Sequence, residues 1–387
     1  MRGRALGAAV ALLVGVACGD GADSGQTAPP LVPPPGTTPT ATVEVAAASA
    51  PLETIADVLE CIDPGAAGGL ADGREDRPLI RHDLDLGHFP EARCNDGTAA
   101  VFYFRPYEGE GNRDRWVVQL QGGGACSNAT TCAQRWCSID TNFGAKQMSS
   151  RFAPSTDIDG KGILRRRPEN PWGGYNQVFV RYCTSDVWSG TNANVELTVP
   201  HPGTGEDVSY AASFLGARVF DAVVSTLRAD RVAPLVYDRR RSLPMPDLDD
   251  AEFVVLAGAS AGGDGVVGNL DAFAETLRAM NTGCQAGDCT LEVRGLIDSA
   301  YGPALENLGF EETEVCEAGL CTADAFLQHQ HRQGPAALQG QRKDTSCLDW
   351  HARNAPGTPW QCTKSHIVAN HLATPFFLRM GLSDSLL

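Results

Sequence analysis

The sequence predicts an α/β fold with a mostly parallel central sheet and helices on both faces. Short apolar runs bounded by Gly, Pro or Asn alternate with stretches of helical periodicity over most of the chain. One apolar run ends in a serine between glycines, directly before a helical pattern, and another is followed by consecutive glycines. Strands that feed sharp glycine-rich turns and helices are typical of a parallel sheet with a site at its carboxyl edge.

The predicted strands are short and rich in β-branched or aromatic residues, whereas the predicted helices are longer and amphipathic. The strands are expected at 99–105, 116–121, 177–182, 253–257, 293–297 and 376–380, and the helices at 211–229, 265–280 and, more weakly, 323–331. No internal repeat interrupts this alternation, so residues 52–387 are expected to form one domain.

The N-terminus predicts export. Arg2 and Arg4 precede an apolar run too short to span a bilayer, which indicates a signal peptide over residues 1–18. The small residue before Cys18 resembles a bacterial lipoprotein cleavage site, so Cys18 is the predicted lipid anchor, with plain secretion as the alternative. Residues 19–51 are rich in Pro, Ala and Thr and predict a tether.

Charge and cysteine content narrow the functional classes. The formal net charge of −16 argues against a nucleic-acid partner, and a membrane contact is expected only through Cys18. Without Cys18 an even number of the 13 cysteines remains, which predicts disulfides in an exported chain. The expected pairs are Cys126–Cys132, Cys284–Cys289, Cys316–Cys321, Cys347–Cys362, the long-range pair Cys94–Cys183, and Cys61–Cys137. No CxxC pair occurs and no histidine is expected at ligand spacing from these cysteines, so no metal site is predicted. No cofactor is predicted either.

The strongest chemical signal is Gly258-x-Ser260-x-Gly262, between a predicted strand and a predicted helix. This context is the nucleophile elbow of α/β-hydrolases, in which a tight turn exposes a serine hydroxyl at the carboxyl end of a strand. The flanking positions must be small because the turn brings strand and helix together. Ser260 is therefore the predicted nucleophile, and a passive serine in a glycine-rich turn is the alternative.

An acyl-transfer site also needs N–H donors for the developing oxyanion. Residues 122–124 are three glycines directly after the predicted strand 116–121, as in the oxyanion loops of esterases. The predicted donors are the N–H groups of Gly123 or Gly124 and of Ala261. A phosphate cradle is disfavoured, because no Gly-Lys-Ser/Thr follows the glycines.

These motifs, taken in order, resemble the pectin acetylesterase family, which also includes lipid-removing deacylases of the Notum type. The matching segments are 94–97, 120–126, 148–150, 162–164, 169–171, 178–190, 258–263, 294–299 and 374–384. The segment 182–190 and the elbow are highly specific in combination. The resemblance implies an α/β-hydrolase fold, Ser260 as nucleophile, and Gly123, Gly124 and Ala261 as oxyanion donors.

The resemblance also implies Asp384 as the triad acid, at the tip of the last predicted strand, with Asp298 as the second candidate. The family's triad histidine follows the acid, but no histidine follows Asp384 in this sequence. The expectation is therefore a fragment that lacks a C-terminal strand, the histidine and a final helix, and that is nearly inactive as written. A natural short form without ordinary catalysis is the alternative.

The expected function is a serine carboxylic-ester hydrolase that removes O-acetyl groups from polysaccharide. Gly124 stands where the lipid-removing members carry a Trp, which disfavours a lipid substrate. Trp172, Tyr175 and Trp188 are candidate sugar-stacking residues, each equally explained as core. Two alternatives stay open: a lipid or small-ester carboxylesterase of the Notum type, and a non-catalytic binding protein of the cell envelope.

Overall fold

The computed structural model describes residues 52–61, 77–138, 143–201, 203–228, 246–301 and 336–380. The strands are β1 (Leu79–Asp83), β2 (Val101–Arg105), β3 (Arg115–Leu120), β4 (Asp157–Ile158), β5 (Asn176–Val180), β6 (Asn192–Pro200), β7 (Asp207–Phe214), β8 (Phe253–Ala259), β9 (Glu292–Asp298) and β10 (Phe376–Arg379). The α-helices are α1 (Ile55–Val58), α2 (Ala129–Trp136), α3 (Gly216–Thr226), α4 (Ala261–Met280), α5 (Thr282–Gln285), α6 (Ala336–Gln339), α7 (Thr345–Asn354) and α8 (Ser365–Val368).

Eight of these strands form one sheet in the order β10-β9-β8-β3-β5-β2-β1-β4. The five strands from β10 to β5 are mutually parallel, whereas β2, β1 and β4 join as antiparallel neighbours. The parallel part places the carboxyl ends of β3, β8 and β9 side by side, since Leu120 pairs with Gly258 and Ala259 pairs with Asp298. All six predicted strands are present, each within a few residues of its expected bounds.

The sheet is buried on both faces. Along β2, β3 and β8 alternate side chains belong to two different apolar clusters, as the two-residue period of a strand requires. Phe104, Trp116 and Leu256 pack with α3 and α4 on one face, and Tyr103 and Val255 face the other. That second face is covered by the irregular segment 150–175, which supplies Ala153, Leu164 and Tyr175.

A separate two-stranded antiparallel sheet, β6–β7, corrects one expectation. Residues 207–214 form β7, so the helix predicted at 211–229 begins only at Gly216. The physical reason is tertiary pairing: β7 hydrogen-bonds along β6 and buries Tyr210 and Phe214 in an apolar cluster with α1 and α2. Long-range burial of this kind overrides local helical propensity. The predicted helix at 323–331 lies outside the described residues.

Five disulfides join the described cysteines. They are Cys61–Cys137, Cys94–Cys183, Cys126–Cys132, Cys284–Cys289 and Cys347–Cys362, the same pairs that the sequence predicts. Cys316, Cys321 and the lipidation candidate Cys18 lie outside the described residues. Among the helices that the structure describes, none combines the length and the apolar character needed to cross a bilayer.

Candidate active site

Ser260 occupies the sharp turn between β8 and α4. Its backbone has φ 53° and ψ −131°, a region that residues with a side chain rarely adopt. The turn is held from two sides, because the Ser260 N–H donates to the Asp298 carbonyl at 2.9 Å and the Ser260 carbonyl accepts from the Asp264 N–H at 3.0 Å. Keeping a serine in such a conformation costs about 1–3 kcal/mol. A nucleophile elbow requires such a sharp, strained turn, with the serine at its tip.

The elbow depends on glycine because two backbones approach within contact distance. A Cβ added to Gly258 would lie 2.0 Å from the Gly262 carbonyl oxygen, and one added to Gly262 would lie 2.2 Å from the Leu120 carbonyl oxygen. Both obstacles are backbone atoms that no side-chain rotation removes. The Gly-x-Ser-x-Gly pattern therefore has a direct steric cause in this fold.

The glycine loop 122–124 lies directly against the elbow. A Cβ on Gly122 would be 2.4 Å from the Ala259 carbonyl oxygen and 3.4 Å from the Cβ of Ser260. The next two glycines have positive φ, 147° at Gly123 and 64° at Gly124, so the loop uses conformations that L side chains rarely adopt. The parallel pairing of β3 with β8 thus brings the two motifs together at one edge of the sheet.

The predicted oxyanion donors are available in this arrangement. Ala261 is the first residue of α4, where a helix leaves its backbone N–H groups without intrahelical acceptors. In the described part of the chain, the N–H groups of Gly123 and Gly124 donate to no other group. The helix N-terminus also carries a partial positive charge that favours a developing anion. The assignment of these donors remains a prediction.

Helix α2 and the Cys126–Cys132 disulfide support the glycine loop from behind. The disulfide ties the end of the loop to α2, and the buried Arg135 of the same helix donates through Nη2 to the Gly123 carbonyl at 2.6 Å. A Cβ on Gly123 would lie 2.7 Å from the Gln147 side chain. Arg135 and Gln147 could not be predicted as neighbours of the loop, because no local pattern in the sequence marks a contact between separate segments.

The specific segment 182–190 forms a buried scaffold beside the elbow. Trp188 is fully buried and donates through Nε1 to the Gln121 carbonyl at 3.0 Å, directly before the glycine loop. Its ring packs against α4, where a Cβ on Gly265 would lie 2.6 Å from Trp188 Cδ1. Ser185, Val187 and Trp188 all have positive φ, which adds further strain next to the site.

Asp186 anchors this scaffold. Its carboxylate accepts hydrogen bonds from Thr184 Oγ1 at 2.7 Å, from the Trp188 N–H at 3.1 Å and from the Gly216 N–H at 2.7 Å. Burial raises the pKa of Asp186 to about 6, while the bond from Thr184 and the two backbone donors oppose that rise. The carboxylate therefore acts as a buried acceptor that joins the segment to the start of α3.

The triad acid and base are not brought to Ser260 by the described residues. Asp384 lies outside them. The second candidate, Asp298, is engaged elsewhere, because its carboxylate accepts from Arg379 Nη1 at 3.0 and 2.8 Å and from Ser299 Oγ at 3.2 Å. Within the described ranges, no histidine hydrogen-bonds Ser260. Asp384 as the acid therefore stays a prediction.

The candidate sugar-stacking residues do not form a platform at the site. Trp188 is fully buried in the scaffold described above. Tyr175 is buried against Phe253 and Arg115, at the amino ends of the parallel strands and thus opposite Ser260. Trp172 packs in the same cluster. The half-exposed Phe143 lies at the glycine loop instead, because a Cβ on Gly124 would be 3.2 Å from its Cδ1.

Among the residues that the structure describes, one cluster has potential metal ligands. Cys347, His351 and Cys362 place their ligand atoms within 4.8 Å of one another, and Cys347 and His351 are one helical turn apart on α7. This spacing corrects the expectation that no histidine lies at ligand spacing from a cysteine. Because the two cysteines form a disulfide, the cluster offers a single imidazole, whose Nδ1 lies 2.8 Å from Thr358 Oγ1. Burial and the neighbouring His371 lower the pKa of His351.

Known proteins share the segments that form this site. A family model described as pectinacetylesterase matches residues 85–386, which include the elbow, the glycine loop and the scaffold. The chain belongs to the pectinacetylesterase family. The family assignment made from the motifs is thereby confirmed.

Several curated relatives in this family are animal enzymes. The chain is 32% identical over 293 residues to human palmitoleoyl-protein carboxylesterase NOTUM, covering 75% of this chain and 48% of that protein. It is 36% identical over 293 residues to palmitoleoyl-protein carboxylesterase notum2 of Xenopus laevis, covering 75% and 49%. The chain spans about half the length of these curated relatives.

A solved structure supports the fold. The chain matches the Wnt deacylase Notum from Drosophila with a TM-score of 0.53 and 26% sequence identity, covering 78% of this chain and 71% of that chain. With its mostly parallel sheet and its disulfides, the chain has the predicted α/β-hydrolase fold.

Proposed function

We propose that the protein is a serine carboxylic-ester hydrolase that removes O-acetyl groups from a polysaccharide through an acyl-enzyme at Ser260. The observation that carries the proposal is the strained Ser260 turn packed against Gly122, beside the N–H groups of Gly123 and Gly124, which donate to no described residue. A serine of this kind next to free backbone donors serves acyl transfer, because the oxyanion forms within reach of both. Membership in a family of carboxylesterases supports the same chemistry.

The proposed reaction has two halves. Ser260 Oγ attacks the acetyl carbonyl carbon while a histidine base, oriented by Asp384, takes the hydroxyl proton. The tetrahedral oxyanion is stabilised by the N–H groups of Ala261 and of Gly123 or Gly124, and it collapses as the sugar oxygen leaves with that proton. Water then attacks the acetyl-serine, which releases acetate and restores the serine hydroxyl.

The test is acylation and turnover in the full gene product. Ser260→Ala should abolish p-nitrophenyl acetate hydrolysis, because no other group replaces the attacking oxygen. A fluorophosphonate should label the peptide that contains Ser260. Ser299 is the matched internal control, since it also has positive φ and lies on the neighbouring strand end. Unchanged turnover in Ser260→Ala, or a label on Ser299 in place of Ser260, would rule out the assignment.

A second candidate function is cleavage of longer acyl esters. It is favoured by the palmitoleoyl-protein carboxylesterases among the relatives. Gly124 stands where the lipid-removing members carry a Trp, and this difference favours the acetyl substrate. Comparing kcat/KM for p-nitrophenyl acetate and p-nitrophenyl octanoate decides between them, since a preference for the longer ester contradicts the acetyl proposal. Acetate release from acetylated pectin or xylan then identifies the polymer.

We further propose that the protein is exported and anchored through Cys18. Five disulfides support an oxidising compartment, because such bonds are rare in the cytosol. The Pro-rich residues 19–51 would then serve as the tether that joins the lipid to the catalytic domain. Labelling with a palmitate analogue should be lost in Cys18→Ser, and labelling that persists in this variant contradicts the anchor.

A further inference from the structure

The Arg135 guanidinium lies buried against the proposed oxyanion loop, and no acidic residue in the described part of the chain pairs with it. Only a small part of the residue is exposed, and its one side-chain hydrogen bond to a described residue is the 2.6 Å bond from Nη2 to the Gly123 carbonyl. No carboxylate within the described ranges forms an ion pair with it. Burial lowers the pKa of Arg135, and the nearby Tyr182 opposes this. An arginine nevertheless stays charged, because its ordinary pKa lies far above neutrality.

A buried unpaired cation is costly, so its retention calls for a physical role. The Gly123 carbonyl belongs to the peptide group that also carries the Gly124 N–H. In a trans peptide the carbonyl and the N–H point in opposite directions. A carbonyl held toward Arg135 therefore turns the Gly124 N–H away from Arg135. The elbow lies against the same loop, since a Cβ added to Gly122 would be 2.4 Å from the Ala259 carbonyl oxygen and 3.4 Å from Ser260 Cβ.

The bond also acts on the electronic character of the peptide. A cation at a carbonyl oxygen polarises the peptide group and makes its N–H a stronger donor. The same positive charge favours an anion forming on the far side of the loop. The glycines at 123 and 124 have positive φ and no side chain to restrict them, so the loop needs an external contact to hold one orientation.

We propose that Arg135 is a positioning residue that sets and strengthens the Gly124 N–H as an oxyanion donor. This inference rests on the proposed esterase function. Arg135 lies on α2, and the Cys126–Cys132 disulfide ties this helix to the end of the glycine loop. The disulfide therefore holds the guanidinium close to the Gly123 carbonyl. Substrate binding itself does not require the residue.

The first test is the kinetics of Arg135→Met, which keeps length and apolar bulk but removes charge and donors. We expect kcat on p-nitrophenyl acetate to fall about 10–100-fold with little change in KM, somewhat less than the loss of a direct oxyanion donor. Arg135→Lys, which keeps the charge without the planar fork, should lose less. Gln134→Met is the matched control, since Gln134 is exposed on the same helix, and it should match the parent protein.

The second test separates positioning from general disruption. A trifluoromethyl ketone forms a tetrahedral adduct with a serine nucleophile and so mimics the oxyanion. Its affinity should fall in Arg135→Met by the same factor as kcat/KM, and the pKa of the adduct hydroxyl, measured by ¹³C NMR, should rise. If Arg135→Met fails to fold, both measurements are made on Arg135→Lys, where the same proportionality is expected.

The outcomes distinguish this inference from the function on which it rests. Parental kcat in Arg135→Met, with Ser260→Ala inactive, overturns the role of Arg135 and leaves the esterase intact. Reduced kcat with unchanged ketone affinity also overturns it, because a merely structural role produces that pattern. A parent protein in which Ser260 is neither required nor labelled refutes the esterase proposal itself.

Discussion

The two ends of the parallel strands are built by opposite means. At the carboxyl ends, Ser260 and the glycine loop meet through backbone atoms, and any added Cβ at Gly122 or Gly258 collides with a carbonyl oxygen. At the amino ends, side chains fill the space: the Tyr175 ring lies 6.1 Å from the Phe253 ring and beneath the Arg115 guanidinium. At the carboxyl ends strained backbone meets backbone, whereas at the amino ends side chains make the contacts.

This contrast follows from what each end must do. An oxyanion site needs backbone N–H groups that no side chain covers, so glycines and positive φ are required there. The packed end contributes stability, because buried aromatic contacts add favourable free energy. Substitutions at the two ends should therefore separate activity from stability.

The largest effect is expected at the backbone contact itself. Gly122→Ala places a methyl group 2.4 Å from the Ala259 carbonyl oxygen, so the loop must shift away from the elbow. We expect kcat/KM to fall at least about 100-fold, as when an oxyanion donor is lost, and unfolding to become easier by about 1–3 kcal/mol. Ester kinetics and denaturant titration measure the two effects.

The same substitution at the other end is the matched control. A Cβ on the exposed Gly111, in the turn before β3, meets nothing within 4 Å, so Gly111→Ala should leave both activity and stability close to the parent values. Equal losses in the two variants would show that the contrast between the ends is wrong.

Sequence alone predicts the parallel core because its signals are local. Strands β3 and β8 contain continuous apolar runs, 116–118 and 253–257, since both faces of the sheet are buried, and each run is followed by glycine at or just beyond the carboxyl end of its strand. The β6–β7 pair was missed although Val195, Leu197 and Val199 alternate in β6. The apolar run that continues from β7 into α3 has no local mark at the point where strand ends and helix begins.

Some residues of the site could likewise be predicted from local sequence patterns, and others could not. The elbow and the glycine loop follow from close backbone approach, which only glycine satisfies, so the sequence reveals them. Arg135 and Phe143 reach the loop from separate segments, and nothing near them in sequence indicates the contact. Trp188 was interpreted as a possible sugar platform because aromatic residues look alike in a sequence, whether they are buried or exposed.

An intermediate effect is expected at Asp186, in the buried scaffold that follows the carboxyl end of β5 beside the elbow. Asp186→Asn keeps the shape but turns one acceptor into a donor, which leaves the Gly216 or Trp188 N–H unpaired. We expect a loss of about 1–3 kcal/mol in unfolding free energy, measured by urea titration. Activity should fall less than in Gly122→Ala, because Asp186 does not face the oxyanion loop.

The pH dependence of the unfolding free energy tests the raised pKa of Asp186. Burial raises the folded pKa of Asp186 from 3.8 to about 6, so between these values the folded state holds a proton that the unfolded state has released. The stability contributed by this group is therefore present below about pH 4 and is lost as pH rises through 6, at about 1.4 kcal/mol per pH unit. The parent protein should lose this stability relative to Asp186→Asn. A constant difference between pH 4 and 6 contradicts the raised pKa.

The smallest effects are expected from a pair of aromatic residues at opposite ends. Tyr175→Phe removes only the phenolic oxygen that accepts from Arg115 Nη1 at 3.2 Å, so unfolding should become easier by at most about 1 kcal/mol with activity unchanged. Phe143→Ala removes a half-exposed ring beside Gly124, so stability should change by less than about 1 kcal/mol while KM rises a few-fold, because the ring borders the substrate approach. Steady-state kinetics and thermal denaturation on both variants test this pair. If Tyr175→Phe slows turnover, or Phe143→Ala changes only stability, the contrast between the two strand ends is wrong. A residue at the amino ends would then affect activity, or a residue at the carboxyl ends would affect only stability.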